Sequence, residues 1–406
     1  MKTEFTAEFF IGNRAKLRAL FTGTAPIVIA ANGLLQRATS ETFPFKQDGS
    51  FWYLTGIDEP NILLVMDRSK EYLIVPELSD YQEKFDGELN GAEMAARSGV
   101  DEVLTGKEGW KQLATRLKKV KHIATIAAGP AFVDTYGMYT NPARAQLIRR
   151  LKKYNANLEL LDLSQHLQRL RMVKQPQEIR AITVAIAATI HGLKYAEKKF
   201  QKGVYKFERE IEHDLSKQFW RQGAIGHSFS PIIASGSKSL IMHPVGNDGP
   251  INGGEQLLVD VGAEFDHYAA DISRTWMPQP SKRFITVYEA VREVADYAMS
   301  ILRPGVVLRE YERKIETMMG EKLRELGLIK TIEHDAVRQY FPHSTSHFLG
   351  IDVHDVGDYE HPLDINAILT VEPGIYIPQE GIGIRIEDDV LITAEGCENL
   401  SASLSR

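Results

Sequence analysis

Residues Leu257–Trp276 read LLVDVGAEFDHYAADISRTW. Asp260 and Asp271 each sit in a short run of apolar and β-branched residues, on either side of a reversal expected near Phe265–Asp266. With the reversal there, the two acids fall opposite each other on antiparallel strands and share one face, with Cβ atoms roughly 4.5–5.5 Å apart. Carboxylates that close repel unless a cation lies between them or one is protonated. An exposed hairpin with its acids in water is the simpler alternative. The apolar neighbours on both sides of Asp260 weigh against it.

Two later segments repeat the pattern: HSTSHFLGIDVHD (His343–Asp355) and TVEPGIYIPQEGIGIRIEDD (Thr370–Asp389). Both set imidazoles or carboxylates inside apolar, strand-like runs. Within Ile382–Asp388 the alternation is strict, so Arg385 and Glu387 point the same way, opposite Ile382, Ile384 and Ile386. Alone, that pair could be a surface ion pair. Pro373 cannot donate to a sheet ladder, so a strand carrying Glu372 must bend or break there, where an acid can line a cavity. His343 and His347 have the spacing of the HExxH zinc helix. The glutamate is absent, which excludes that mechanism. A lone histidine is more often a satisfied structural residue than a ligand. His343, His347 and His354 fall close together amid apolar residues, and His243, in Leu240–Pro244, is a fourth candidate. A buried charge costs several kcal/mol unless something pairs with it. Nearby Lys and Arg are too few for all these acids, and a divalent metal accounts for them.

The chain of 406 residues is long enough for two domains. A formal net charge of -6 gives nucleic acid nothing to bind. The lone Cys397 excludes an intramolecular disulfide and a cysteine-rich zinc site, and it fits a reducing compartment. The first residues, MKTEFTAEFFIGNRAKL, carry acids and an arginine where a signal peptide needs an apolar core. The longest apolar stretch, Ala181–Ile190, is too short to span a bilayer. A cytoplasmic enzyme without membrane partners is expected.

Short apolar runs at Ala25–Ala31, Ile62–Met66 and Tyr72–Val75, separated by charged helical stretches, predict a smaller α/β domain over residues 1–168 with a largely buried sheet. The basic run Arg144–Lys153 is read as a solvated helix face. The polar stretch Leu163–Gln177 marks the boundary, with Pro176 opening a helix. Over 174–406 the patterns predict helices at Ile179–Leu193, Tyr205–Arg221, Phe284–Ile301 and Leu308–Leu326. Strands are expected at Ser228–Ala234, Gln256–Phe265, Tyr268–Trp276, Ala367–Ile377 and Ile382–Thr393. The class is α+β, with helices around a curved antiparallel sheet.

Taken in order, Asp260, Asp271, His347, Glu372 and Glu387 resemble the five-ligand set of the pita-bread metallopeptidases, which include methionine aminopeptidase, prolidase and aminopeptidase P. The flanking motifs V-D-V-G, D-I-S-R-T, S-H-F-L-G-I-D-V-H-D-V-G, V-E-P-G-I-Y and R-I-E-D-D match as well. Creatinase shares that fold but lacks the metal set. Phe43–Gly56 resembles the N-terminal domain of aminopeptidase P, which methionine aminopeptidases lack. Lys46 and Gly49 stand where that family commonly has Arg and Ser, Ala38-Thr39 where it has Asn-Asp, and Phe85 where it has Trp. This region is implied to help form the substrate pocket.

The resemblance implies two divalent ions, Mn²⁺ first and Co²⁺, Fe²⁺ or Zn²⁺ as alternatives. Asp271 and Glu387 bridge them, Asp260 completes one, and His347 and Glu372 complete the other. It implies attack of a shared hydroxide on the bond before a penultimate proline. Glu372 shuttles the proton, His354 donates to the oxyanion, and His243 contacts the substrate near the proline. Arg385 supports Glu387, and His343 lines the pocket. Xaa-Pro-Yaa peptides are the expected substrates. An Xaa-Pro dipeptidase (prolidase) is the alternative reading, and a catalytically dead binding homologue is a remote one. The family often forms homodimers or homotetramers.

Overall fold

The structure is a computed structural model that describes residues 5–68, 70–129 and 132–406. Packing divides the chain into one unit ending at Leu170 and another beginning at Arg171. The stretch expected as a polar boundary is helical from Ser164 to Met172. The next helix, Pro176–Phe200, opens with Gln175 and Glu178 bonded to each other across its first turn.

The first unit contains β1 (Ile27–Ala30), a small hairpin of β2 (Gln36–Ala38) and β3 (Glu41–Thr42), β4 (Leu63–Met66), β5 (Glu71–Val75), β6 (Glu102–Thr105), β7 (His122–Thr125) and β8 (Glu159–Asp162). Six of them form one mixed sheet in the order β6-β5-β4-β1-β7-β8, antiparallel only where β4 meets its two neighbours. β1 and β4 are buried at every residue, so they show no alternation, as in a sheet covered on both faces. The Phe43–Gly56 motif is a loop leading into the helix Gly49–Thr55. Asp48 caps that helix at Phe51 N and pairs with Arg144. The basic run lies on the helix Ala143–Tyr154, with Leu147 and Leu151 buried as its inner stripe. Phe85 is exposed on the helix Asp80–Asp86.

The second unit adds β9 (Gly226–His227), β10 (Ile232–Ser235), β11 (Leu257–Val261), β12 (Ala263–Phe265), β13 (Tyr268–Ala269), β14 (Ile272–Trp276), β15 (Ile368–Val371), β16 (Gly374–Ile377), β17 (Ile382–Arg385), β18 (Asp388–Ile392) and β19 (Cys397–Asn399). Among the described residues its strand pairings are all antiparallel. The helices Lys282–Ile301 and Leu308–Glu325 pack their apolar stripes, including Val287, Val291, Val294, Ile315 and Met319, against Leu369, Ile375, Ile384 and Val390 of these strands.

Four expected strands are broken: Gln256–Phe265 at Gly262, between β11 and β12, and the other three at an acid. β13 stops before Asp271 and β14 starts after it. β15 and β16 are separated by Glu372-Pro373, where Pro373 cannot continue the ladder. β17 and β18 are separated by Ile386-Glu387. The expected strand at Ser228–Ala234 is confined to β10, and His343–Asp355 is not a strand. It runs beside β15 with one isolated bridge, Phe348 to Leu369.

The expected pairing of Asp260 with Asp271 is corrected by the register. Asp260 faces Ser273, and the reversal is a two-residue turn at Asp266-His267, both at positive φ. The ladder continues from Val261–Ile272 to Glu264–Ala269, which sets Asp271 opposite Gly262, one diagonal from Asp260. A Cβ on Gly262 would lie 1.6 Å from the Ala270 carbonyl oxygen, so this crossing requires glycine.

Candidate metal centre

Because the side chains at 260 and 262 share a face, Asp271, opposite Gly262, still turns toward Asp260. Ser273 lies two residues beyond Asp271 and joins the same face. Its hydroxyl donates to Glu387 Oε2 at 2.6 Å, and its carbonyl accepts from Glu387 N at 3.1 Å. Arg385 donates to Asp260 Oδ2 at 2.5 Å and to Ser273 Oγ at 2.9 Å. Arg385 thus bonds Asp260 directly and reaches Glu387 through the Ser273 hydroxyl and by charge attraction. Both residues are buried, which removes the reading as a surface ion pair.

His347 is delivered by the segment beside β15, where Thr370 N donates to the His347 carbonyl at 3.0 Å. Its Nδ1 lies 3.1 Å from the Phe348 carbonyl, so Nδ1 carries the proton and Nε2 is left with a lone pair. Nε2 is 3.5 Å from both Asp271 Oδ2 and Glu372 Oε1. Asp271, His347 and Glu387 each offer a ligand atom within 4.8 Å of the others. Asp260 adjoins this triangle beside Asp271, and Glu372 adjoins it beside His347.

The electrostatics are unfavourable without a cation. Burial, then Glu387, Asp260 and Asp389, pushes Asp271 well above the usual carboxylate range. Burial and Glu387 do the same to Glu372. Burial and Asp260 push Glu387 up to about 7. Asp260 Oδ1 and Asp271 Oδ1 are buried without a hydrogen-bond partner. The other nearby guanidinium, Arg274, is committed to Asp388 Oδ1 at 2.7 Å and to the Glu387 carbonyl at 2.6 Å. Four carboxylates therefore face one guanidinium, Arg385. The donor set fits divalent cations, which would take the unpartnered oxygens and the surplus charge.

The remaining histidines gather around this group. The His354 ring centroid is 4.1 Å from that of His347. Packing around His354, then His347 and His243, lowers its pKa to about 4. His343 is lowered to about 3 by burial, Arg385 and other neighbours that include His243. His243 is exposed and lies close enough to act on both rings. The sequence reading missed Tyr376. Its hydroxyl accepts from Arg385 Nη1 at 2.9 Å and donates to His343 Nε2 at 2.9 Å, while His343 Nδ1 donates to the Ser344 carbonyl. Tyr376 and Ser273 stand inside the quoted motifs, but no charge marks either one. Asp355 was missed as well. It is buried against Arg171 and Lys174, which hold the turn following His354.

A buried His–carboxylate cluster at the breaks of an antiparallel sheet, wrapped by helices, has the donor chemistry of a metal-dependent hydrolase. Residues 180–394 match the family model "Metallopeptidase family M24", and residues 10–125 match "Aminopeptidase P, N-terminal domain". The chain belongs to metallopeptidase family M24, in its aminopeptidase P branch. It is 32% identical to the Xaa-Pro aminopeptidase of Haemophilus influenzae, over 98% of this chain and 95% of that one. Identity to the Escherichia coli Xaa-Pro aminopeptidase is also 32%, with the same coverage. The solved structure of E. coli aminopeptidase P with the inhibitor Pro-Leu superposes with a TM-score of 0.85 at 28% identity, covering 100% of this chain and 97% of that one. The activity is that of a Xaa-Pro aminopeptidase, and the fold is an α/β domain followed by a pita-bread catalytic domain. The first domain answers the resemblance seen at Phe43–Gly56 and separates the chain from methionine aminopeptidases. No helix among the described residues is long and apolar enough to cross a membrane.

Proposed function

We propose that the chain cleaves the bond before the penultimate proline of Xaa-Pro-Yaa peptides at a pair of divalent cations held by Asp260, Asp271, His347, Glu372 and Glu387. The observation that carries this reading is the convergence of Asp271, His347 and Glu387, with Glu372 beside His347, Asp260 beside Asp271, and two buried carboxylate oxygens left unpartnered. One histidine with four carboxylates is a hard, oxygen-rich set that suits Mn²⁺, with Co²⁺, Fe²⁺ or Zn²⁺ as alternatives. Asp260, Asp271, His347, Glu372 and Glu387 are the residues that would hold the ions. Ions held there would supply acidified water and polarisation of the scissile carbonyl.

The protein supplies the rest. The Glu372 carboxyl carries the proton to the leaving proline nitrogen. His354, neutral at working pH because its pKa is lowered to about 4, keeps an N–H to donate to the carbonyl oxygen as negative charge develops. His243 and His343 line the proline side of the substrate. Arg385 holds Asp260, and through Ser273 it holds Glu387. The enzyme works as a homodimer or homotetramer in the cytoplasm.

Replacing Glu387 or His347 with Ala and assaying peptidase activity in saturating Mn²⁺ tests the centre. Turnover falls to background if the assignment is right, and near-normal turnover overturns it. Xaa-Pro-Yaa-Zaa peptides should be cleaved in preference to Xaa-Pro dipeptides. Activity on the dipeptide alone would turn the reading to prolidase.

A further inference from the structure

The segment that carries His243 leaves the sheet at Ser235 and meets the start of the helix Glu208–Arg221 at Gly249, before the chain rejoins the sheet at Leu257. One side chain holds both ends. Glu208, the first residue of the helix Glu208–Arg221, is fully buried. Its carboxylate accepts from Ser235 N at 2.9 Å, Ser235 Oγ at 3.0 Å and Gly249 N at 2.9 Å, and it pairs with Lys238. Lys238 also reaches across the loop to the Gly246 carbonyl at 2.7 Å. A Cβ on Gly249 would lie 2.9 Å from the Glu208 carboxyl, so glycine lets the backbone come this close.

One helical turn on, Glu212 accepts from Asn247 Nδ2 at 2.8 Å, and Asn247 Oδ1 accepts from Ile233 N at 3.1 Å. Two glutamates on one helix face therefore grip the stem of the loop. Beyond the stem, Ile241, His243 and Val245 are exposed. Leu240 and Met242 rest against the cluster of Ile232, Ala234, Leu258 and Tyr376.

We propose that Glu208 is a positioning residue for substrate binding. It clamps the Ser235–Gly249 loop so that His243 stands beside His343 and His354 before a peptide arrives. A loop ordered in advance does not spend binding energy on being ordered by the substrate. The proposal rests on the assignment of His243 to the proline side of the substrate. A contact made equally to bound substrate and transition state acts on KM and leaves kcat unchanged.

The test is Glu208→Gln in the metal-loaded enzyme. Glutamine keeps the shape but turns an N–H donor toward groups that themselves donate. The KM for an Xaa-Pro-Yaa peptide should rise about tenfold with kcat changed less than about twofold, the pattern of lost uniform binding. Hydrogen exchange across residues 236–249 should quicken while bound metal stays the same. Combined with His243→Ala, the substitution should add nothing to KM. Lys238→Met removes one arm of the clamp, should act in the same direction more weakly, and serves if Glu208→Gln does not fold. Unchanged loop exchange, a fall in kcat alone, or a full KM effect in the His243→Ala background would overturn the clamp. A normal KM in His243→Ala alone would instead overturn the role given to His243, and the positioning proposal with it.

Discussion

The Arg385 guanidinium bonds Asp260 at 2.5 Å and, through the Ser273 hydroxyl, sets the orientation of Glu387. One cation thus orders a carboxylate on β11 and another at the break between β17 and β18 without neutralising both. Arg385→Lys keeps the charge but loses the fork that reaches both partners. Metal affinity should fall about 10–100-fold, as when an outer hydrogen-bond partner of a ligand is lost. Isothermal titration of Mn²⁺ into the metal-free protein measures this.

The acids of the centre make the metal-free protein sensitive to pH. The Glu387 pKa is raised to about 7 in the folded chain, above its ordinary value near 4.5. Between those values the folded state binds more protons than the unfolded state, so stability falls as pH rises through that window. The loss should reach about 3 kcal/mol, taking roughly 1.4 kcal/mol for each pKa unit. Urea denaturation of metal-free protein from pH 4.5 to 7.5 should show the decline, and added Mn²⁺ should flatten it.

Asp355 is buried between Arg171 and Lys174, next to His354 in sequence. Burial would raise this carboxyl, but the two cations hold it below the usual range. Asp355→Ala leaves buried Lys174 without its carboxylate and Arg171 with the half-buried Asp352, and should cost about 3 kcal/mol. Thermal unfolding reads the loss. If the triad also fixes the turn, kcat should drop at temperatures where the variant is still folded.

His354→Ala should lower kcat about 10²-fold, the scale for removing one donor at a developing oxyanion. Bound metal should not change. His354→Gln, which retains an N–H donor, should recover part of the loss. Equal kcat in the wild type and His354→Ala would remove this residue from the chemistry.

Gly262→Ala brings a methyl group into the Ala270 carbonyl. Relief requires the hairpin that places Asp271 to shift. The variant should lose about 2–3 kcal/mol, on the scale of overpacked cores. It should also bind metal more weakly, read by metal analysis after dialysis.

The sequence by itself singled out the acids proposed for the centre. Apolar flanks made Asp260, Asp271 and Glu387 costly to bury unpaired, strict alternation put Arg385 and Glu387 on one face, and Pro373 announced the break at Glu372. Strand period and proline chemistry are local, so they can be read from neighbours in the chain. Tertiary structure decided what lies across the sheet. The Asp266-His267 turn set Asp260 opposite Ser273 instead of Asp271, because hairpin register depends on the turn adopted. It paired Arg385 with Asp260, 125 positions away, and brought Tyr376 between Arg385 and His343. It also buried Glu208 beneath both ends of the His243 loop. A hydroxyl or a carboxylate on a helix has no periodic signature of its partner. Only the folded chain supplies the distance that turns it into part of the site.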